Sequence, residues 1–294
     1  MGEANNRMRR LPTPTIDFCT ALTEATNGIG SAVTQANFRA QITNPNAVAI
    51  EAAFRTSAQA ATLYSVPRIA SGAGDPVVHG SLRKSDLTKL YTQYFVPKEK
   101  PARRLYDQLK ITANGKCPLC GDIGHVRTLD HYVPKANFPL YSVMPGNLIP
   151  CCRDCNSEKL DAFSATLDRQ TLHPYFDDAK FFNEQWVAAR VIAGAPPVIE
   201  YYVSPPAQWS LAERNRVAAH FTEYGLAERF GVEAGADLPE TIDTRRTTLH
   251  GFSPLEYSDY LREKSENMSL PVNNWRRIMF LSLANDNWFC AYPH

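Results

Sequence analysis

The sequence predicts an α+β protein, mainly helical, built around a central strand–strand–helix unit that carries four paired cysteines, with a small hairpin in its C-terminal third. Three observations predict it. Cys117-Pro118-Leu119-Cys120 and Cys152-Arg153-Asp154-Cys155 are Cys-x-x-Cys hooks separated by 31 residues. Apolar residues such as Leu87, Leu90, Tyr91 and Tyr94 recur at helical spacing. Trp186 to Ile192 and Val198 to Val203 are rich in β-branched and aromatic residues and flank Gly194-Ala195-Pro196-Pro197, the composition of a hairpin.

In chain order, residues 1–84 read as an N-terminal helical region, 85–180 as the hook-bearing core with its lead-in helices, and 181–294 as a C-terminal α+β region. The first region holds an Ala-rich stretch, Ala47 to Ala61, with turn formers at Asn44-Pro45-Asn46. Gly28-Ile29-Gly30 lacks the third glycine and the preceding strand of a dinucleotide fingerprint. Ser71-Gly72-Ala73-Gly74-Asp75-Pro76 is a loop. Ser85 or Asp86 is expected to cap a helix that Pro97 ends, and Pro101 to Lys110 to form another with Ala102, Leu105, Tyr106 and Leu109 on one side. Val126 to His131 and Asn147 to Pro150 are expected as strands, with a helix from Cys152 onward. Ser210 and Glu213 form a capping box ahead of a helix carrying Val217, Phe221 and Tyr224, and a last helix falls around Trp275 to Leu283.

Two hooks supply four soft thiolates, the ligand set of a tetrahedral structural zinc. In a reducing compartment such pairs argue for metal rather than disulfides. Cys19, Cys151 and Cys290 show no partner spacing, and Cys151 is expected to be a spectator because only Cys152 makes the two-residue gap to Cys155. Between the hooks lie a carboxylate, an imidazole and amides, residue types that hold a hard divalent cation and activate a water.

At these residues the chain resembles the HNH endonucleases. Their signature is a His near the end of one strand, an Asn on the next and a His or Asn on the following helix, and here those positions are His131, Asn147 and Asn156. Leu129-Asp130-His131-Tyr132-Val133-Pro134-Lys135, Asn147-Leu148-Ile149-Pro150-Cys151-Cys152 and Cys155-Asn156-Ser157-Glu158-Lys159 look like the bacterial members with a structural zinc. The match spans Cys117 to Lys159, 43 of 294 residues, in the His-Asn-Asn form.

The resemblance implies a ββα-metal core in which Asp130 and Asn156 hold a catalytic Mg²⁺ or Mn²⁺, and His131 takes a proton from the attacking water. Asn147 braces the loop from Tyr132 to Gly146. Lys159, three residues after Asn156 on the same helical face, is expected to meet a substrate phosphate. Neighbours on a regular strand face opposite ways, so the strand is expected to end or bend between Asp130 and His131. His125 and His173 are expected to be structural or surface residues.

The implied function is metal-dependent hydrolysis of DNA with low sequence specificity, since no recognition helix, further finger or basic tail is present. Bacterial proteins with this core often serve antiviral defence. An ATPase or other defence-system subunit, a second copy of the chain, and RNA in place of DNA are further partners to consider. The competing readings are a site-specific restriction or homing enzyme and a non-catalytic zinc module that binds nucleic acid or protein.

Composition fits a globular chain, with 44% apolar and 21% charged residues. Net charge is only +1, but Lys98 to Lys159 holds ten Lys and Arg against six acids, a local basic excess suited to a phosphate path. No apolar run approaches the roughly 20 residues that span a bilayer. Met1-Gly2-Glu3-Ala4-Asn5-Asn6-Arg7 is followed by no apolar stretch of the secretory kind, so the cytoplasm is the expected location.

Overall fold

The computed structural model describes residues 10–158, 163–267 and 269–291. It divides into two compact units. One is Leu11–Pro118 with Gly124–Asp177, and the other is built from Leu119–Ile123 with Asp178–His294. The N-terminal helices therefore fall in the same unit as most of the hook-bearing core.

In the first unit, α1 (Phe18–Asn27) starts at Asp17, whose carboxylate accepts the Thr20 N–H at 2.6 Å. Next come α2 (Ala32–Gln41) and α3 (Asn44–Gln59). Asn44-Pro45-Asn46, expected as a turn, is instead the first turn of α3. A proline there removes only an N–H that has no helical acceptor.

Strands β1 (Val77–His79) and β2 (Leu82–Arg83) form a small antiparallel ribbon. Then α4 (Lys84–Lys89) runs into a π-helical turn, Leu90–Phe95. Its cap differs from the expected one. Arg83 takes the cap position and its N–H donates to the Asp86 carboxylate at 2.9 Å, while the Ser85 hydroxyl donates to Asp75 at 2.9 Å. Helix α5 (Arg103–Ile111) buries Leu105, Tyr106 and Leu109.

The core follows as β3 (Thr128–His131), β4 (Leu148–Cys151) and α6 (Arg153–Glu158). β3 and β4 pair antiparallel, Thr128 opposite Cys151 and His131 opposite Leu148. All four β4 residues are buried, so this hairpin is a core element and not a surface flap.

The second unit holds α7 (Lys180–Asn183) and the expected hairpin, β5 (Val187–Ile192) with β6 (Val198–Val203), registered from Val187 opposite Val203 to Ile192 opposite Val198. The Asn273 amide oxygen accepts the N–H groups of Trp186 and Val187 at 2.8 and 3.0 Å and so anchors the start of β5. Helix α8 (Leu211–Glu223) begins with the expected Ser210–Glu213 capping box. Helices α9 (Leu226–Thr247) and α10 (Pro254–Ser265), not expected from the sequence, follow, then the expected α11 (Trp275–Ala284), which is not the last, since a short α12 (Asn287–Ala291) comes after it. Alternation along β6 buries Ile199 and Tyr201, and the Tyr201 ring meets Phe230 of α9 edge-on at 5.4 Å. Among the described residues no helix is long and apolar enough to cross a membrane.

Candidate functional site

The first hook is a chain reversal. The Cys117 N–H donates to the Gly124 carbonyl at 2.9 Å, Lys116 bridges His125, and Gly121 and Asp122 take positive φ of 62° and 72°. Glycine at 121 has a second cause: a Cβ there would stand 3.1 Å from the Phe230 ring. The second hook straddles the end of β4 and the start of α6, where the Cys155 N–H points at Cys152 Sγ at 3.5 Å.

Cys117, Cys120, Cys152 and Cys155 are all buried, and their four Sγ atoms lie within 4.8 Å of one another. Thiolates 2.3 Å from a tetrahedral centre stand about 3.8 Å apart, so the quartet fits a zinc ion with small adjustment. None of the four forms a disulfide. Cys151 is buried on β4 opposite Thr128 and stands outside the quartet.

His220 of α8 was not singled out in the sequence. Its Nε2 meets the Leu119 carbonyl, inside the first hook, at 2.9 Å. A carbonyl only accepts, so Nε2 carries the proton. Burial, with the Arg216 charge adding, pushes this imidazole down to about 3, so it stays neutral. Its place on the Val217–Phe221–Tyr224 stripe was the available signal, because residues three and four apart share a helix face.

At the other end of the hairpin, burial alternates along β3: Leu129 and His131 face inward, Thr128 and Asp130 are half-buried. The ladder stays regular through His131, so the strand ends after that residue instead of bending before it. The Asp130 carboxylate turns back and accepts the His131 N–H at 2.7 Å. The His131 imidazole, 5% exposed, places Nε2 2.8 Å from the Ser142 carbonyl. That acceptor assigns the proton to Nε2 and, in the neutral ring, the lone pair to Nδ1.

Asn147 explains why the Ser142 carbonyl is there. Its buried amide accepts from Val133 N–H at 2.8 Å and donates to the carbonyls of Val133 and Tyr141 at 3.1 Å each, tying both ends of the loop that Ser142 belongs to. The Ser142 hydroxyl donates to Leu87 of α4 at 2.6 Å. Tyr91, in the π-helical turn, lays its ring at 70° to the imidazole with centroids 4.4 Å apart, and its hydroxyl donates to the Leu129 carbonyl at 2.8 Å. Burial holds that phenol well above its ordinary range, so it remains a donor.

His173 and its neighbours buttress this arrangement. The Tyr175 hydroxyl donates to the Leu148 carbonyl at 3.0 Å, the His173 ring lies 4.1 Å from that of Tyr132, and Phe176 packs where a Cβ on Gly146 would stand 3.2 Å away. His125 is exposed.

The structure thus brings Asp130, His131 and Asn147 to one end of the hairpin and the four cysteines to the other. Asn156 lies on α6, directly after the last cysteine, with an exposed side chain. Lys159 lies outside the described residues.

A helix-rich α+β protein with a buried four-cysteine cluster able to hold a metal ion is the class that this fold and cluster define. The chain is 34% identical to Protein ea31 of Escherichia phage lambda over 294 residues, covering 96% of this chain and 99% of that protein. It belongs to the family of that protein. No family model and no solved structure matches the chain.

Proposed function

We propose that the chain is a metal-dependent endonuclease of the HNH type, hydrolysing phosphodiester bonds of DNA with low sequence specificity. The observation that carries this reading is His131: a buried imidazole whose Nε2 is committed to the Ser142 carbonyl, beside a carboxylate, at the end of a hairpin. A structural histidine needs only a partner. This one has its tautomer fixed by a loop that Asn147 holds from both ends.

Asp130 and Asn156 offer one carboxylate and one amide oxygen, a donor set that suits Mg²⁺ or Mn²⁺ and leaves most positions to water and phosphate. When bound, such a cation supplies charge neutralisation on the phosphate and leaving oxygen. His131 takes the proton of the attacking water at Nδ1, and Nε2–H stays on Ser142 as the ring becomes charged, so the carbonyl stabilises the imidazolium. A zinc ion held by Cys117, Cys120, Cys152 and Cys155 would fix α6, and with it Asn156, against the hairpin. The resemblance to the bacterial HNH proteins is what suggests antiviral defence with a further subunit as the setting.

Plasmid cleavage with and without Mg²⁺ tests the reading. The expected result is cation-dependent nicking and linearisation by the wild type, and a loss of about 10²- to 10⁴-fold in His131→Ala with zinc content retained. Undiminished cutting by that variant refutes the assigned base. A ladder of discrete fragments in place of a smear would favour the site-specific alternative.

A further inference from the structure

Lys135 lies in the same Asn147-tied loop as Ser142, four residues beyond His131. Its backbone surroundings are fixed: Val133 is bonded through both N–H and carbonyl to Asn147, and the Pro134 carbonyl accepts the N–H groups of Asn137 and Phe138 at 3.0 and 2.8 Å. Its ammonium stands over the Tyr91 ring, 5.7 Å from the centroid. That same ring contacts the His131 imidazole and is stacked on Phe95 with centroids 6.1 Å apart.

Three other cations of this unit are matched to acids, Arg55 with Glu51, Arg103 with Asp107 and Arg104 with Glu24, and Lys110 stands over the Tyr106 ring. Lys100, which also sits over a tyrosine, donates to the Gly28 carbonyl at 2.9 Å. Among the described residues no carboxylate pairs with Lys135, and the ring face that holds it steers the charge without cancelling it. The ammonium and the imidazole are separated by no more than their two distances to the Tyr91 centroid laid end to end. One strand of a duplex rises about 3.4 Å per nucleotide, so a phosphate at Lys135 belongs to the scissile linkage or to a close neighbour. The π-helical turn supports a functional reading of Tyr91, since such turns cluster at functional sites and here the turn presents one ring to both groups.

We propose that Lys135 binds a backbone phosphate of the nucleic acid next to the scissile bond, with Tyr91 as the residue that positions it. This rests on the nuclease reading above and names a contact within it.

Binding and cutting are measured separately. In a His131→Ala background, fluorescence anisotropy of a labelled duplex across a salt series should show Lys135→Ala weakening binding about tenfold and lowering the log–log salt slope by about 0.9, the share of one phosphate. Lys135→Arg should restore both. With His131 present, Lys135→Ala should raise KM and leave kcat nearly unchanged, the signature of uniform binding. Tyr91→Leu should weaken binding in the same sense and Tyr91→Phe should not. Melting curves and zinc content confirm that each variant is folded.

If the parent binds duplex with a clear salt slope and Lys135→Ala matches it in affinity and slope, the phosphate contact is overturned and the nuclease reading stands. If Lys135→Ala weakens binding but the wild type cuts nothing with or without a divalent cation, the phosphate contact stands and the nuclease reading falls. If the wild type neither binds nor cuts duplex, single-stranded DNA or RNA, both fall.

Discussion

Two imidazoles in this chain look alike on paper and sit in different chemistry. His131 and His220 are both buried, and both place Nε2 on a backbone carbonyl, at 2.8 and 2.9 Å. His220 is walled by Tyr224, with ring centroids 4.8 Å apart, and by Trp186 at 6.3 Å, and it serves the first hook. His131 ends a strand beside a carboxylate, and its ring shares Tyr91 with an ammonium. A buried, carbonyl-bonded histidine is therefore not by itself a base. What distinguishes one is where its second nitrogen can point and which charges wait there.

The largest expected effect comes from stripping the metal, which should abolish the setting of both histidines. Structural zinc contributes about 10–16 kcal/mol in small peptides, as much as or more than the roughly 5–15 kcal/mol that holds a whole domain together. Chelation, or Cys155→Ser, should replace the cooperative thermal transition with a broad one, read by near-ultraviolet circular dichroism. A sharp melt that survives full removal of zinc would show that the hooks do not staple the core.

Next in size, the two histidine variants should separate along different axes. His131→Ala should lose cutting while costing about 1–3 kcal/mol of stability, because the Ser142 carbonyl loses its donor. His220→Ala should cost about 2–4 kcal/mol, from a cavity plus an orphaned Leu119 carbonyl, yet keep its activity per folded molecule. Urea denaturation and plasmid cleavage on the same samples decide this, and equal losses of activity in both would erase the contrast.

Acid should expose the same difference. Folding depresses the His220 value from an ordinary 6.5 to about 3, so between these values the unfolded chain binds more protons. The stability His220 contributes is fully present above about pH 6.5 and is lost as pH falls towards 3, with a limiting slope of about 1.4 kcal/mol per pH unit. His220→Gln, whose amide can still donate to Leu119, should flatten that limb. Thiolate protonation acts on both chains, so the wild-type minus variant difference isolates the imidazole. Parallel curves between pH 5 and 6.5 would contradict the assignment.

The hooks were legible in the sequence because thiolate spacing is a near-covalent constraint, whereas Asp130, His131 and Asn147 stood out only through the resemblance to the HNH endonucleases. Legibility stopped where the cause lies far along the chain. His220 acquires its meaning from a carbonyl 101 residues away. Helix α9 carries Gly231, Gly235 and Pro239, each a local argument against a helix, and forms nonetheless with Phe230, Ala234 and Leu238 buried. Leu87, Leu90, Tyr91 and Tyr94 read as a regular α-helix. The π-helical turn from Leu90 that aims Tyr91 at His131 has no signature in residue spacing.

The smallest expected effect tests the comparison on neighbours of one kind, Cys151 and Cys152. Successive side chains of a strand leave on opposite faces, so two adjacent cysteines at the end of β4 cannot both reach one ion while the ladder is regular. The structure resolves the choice: Cys151 is fully buried opposite Thr128, its carbonyl accepts the Arg127 N–H at 2.8 Å, and Cys152 joins the quartet. Cys151→Ala should therefore remove one buried sulfur at a cost of about 1 kcal/mol, leave one zinc per chain by atomic absorption, and keep plasmid cleavage at the wild-type rate. Cys152→Ala should lose the ion. If Cys151→Ala lost it as well, the second hook would be held by a different pair of thiolates, and the position of Asn156 relative to His131 would have to be redrawn.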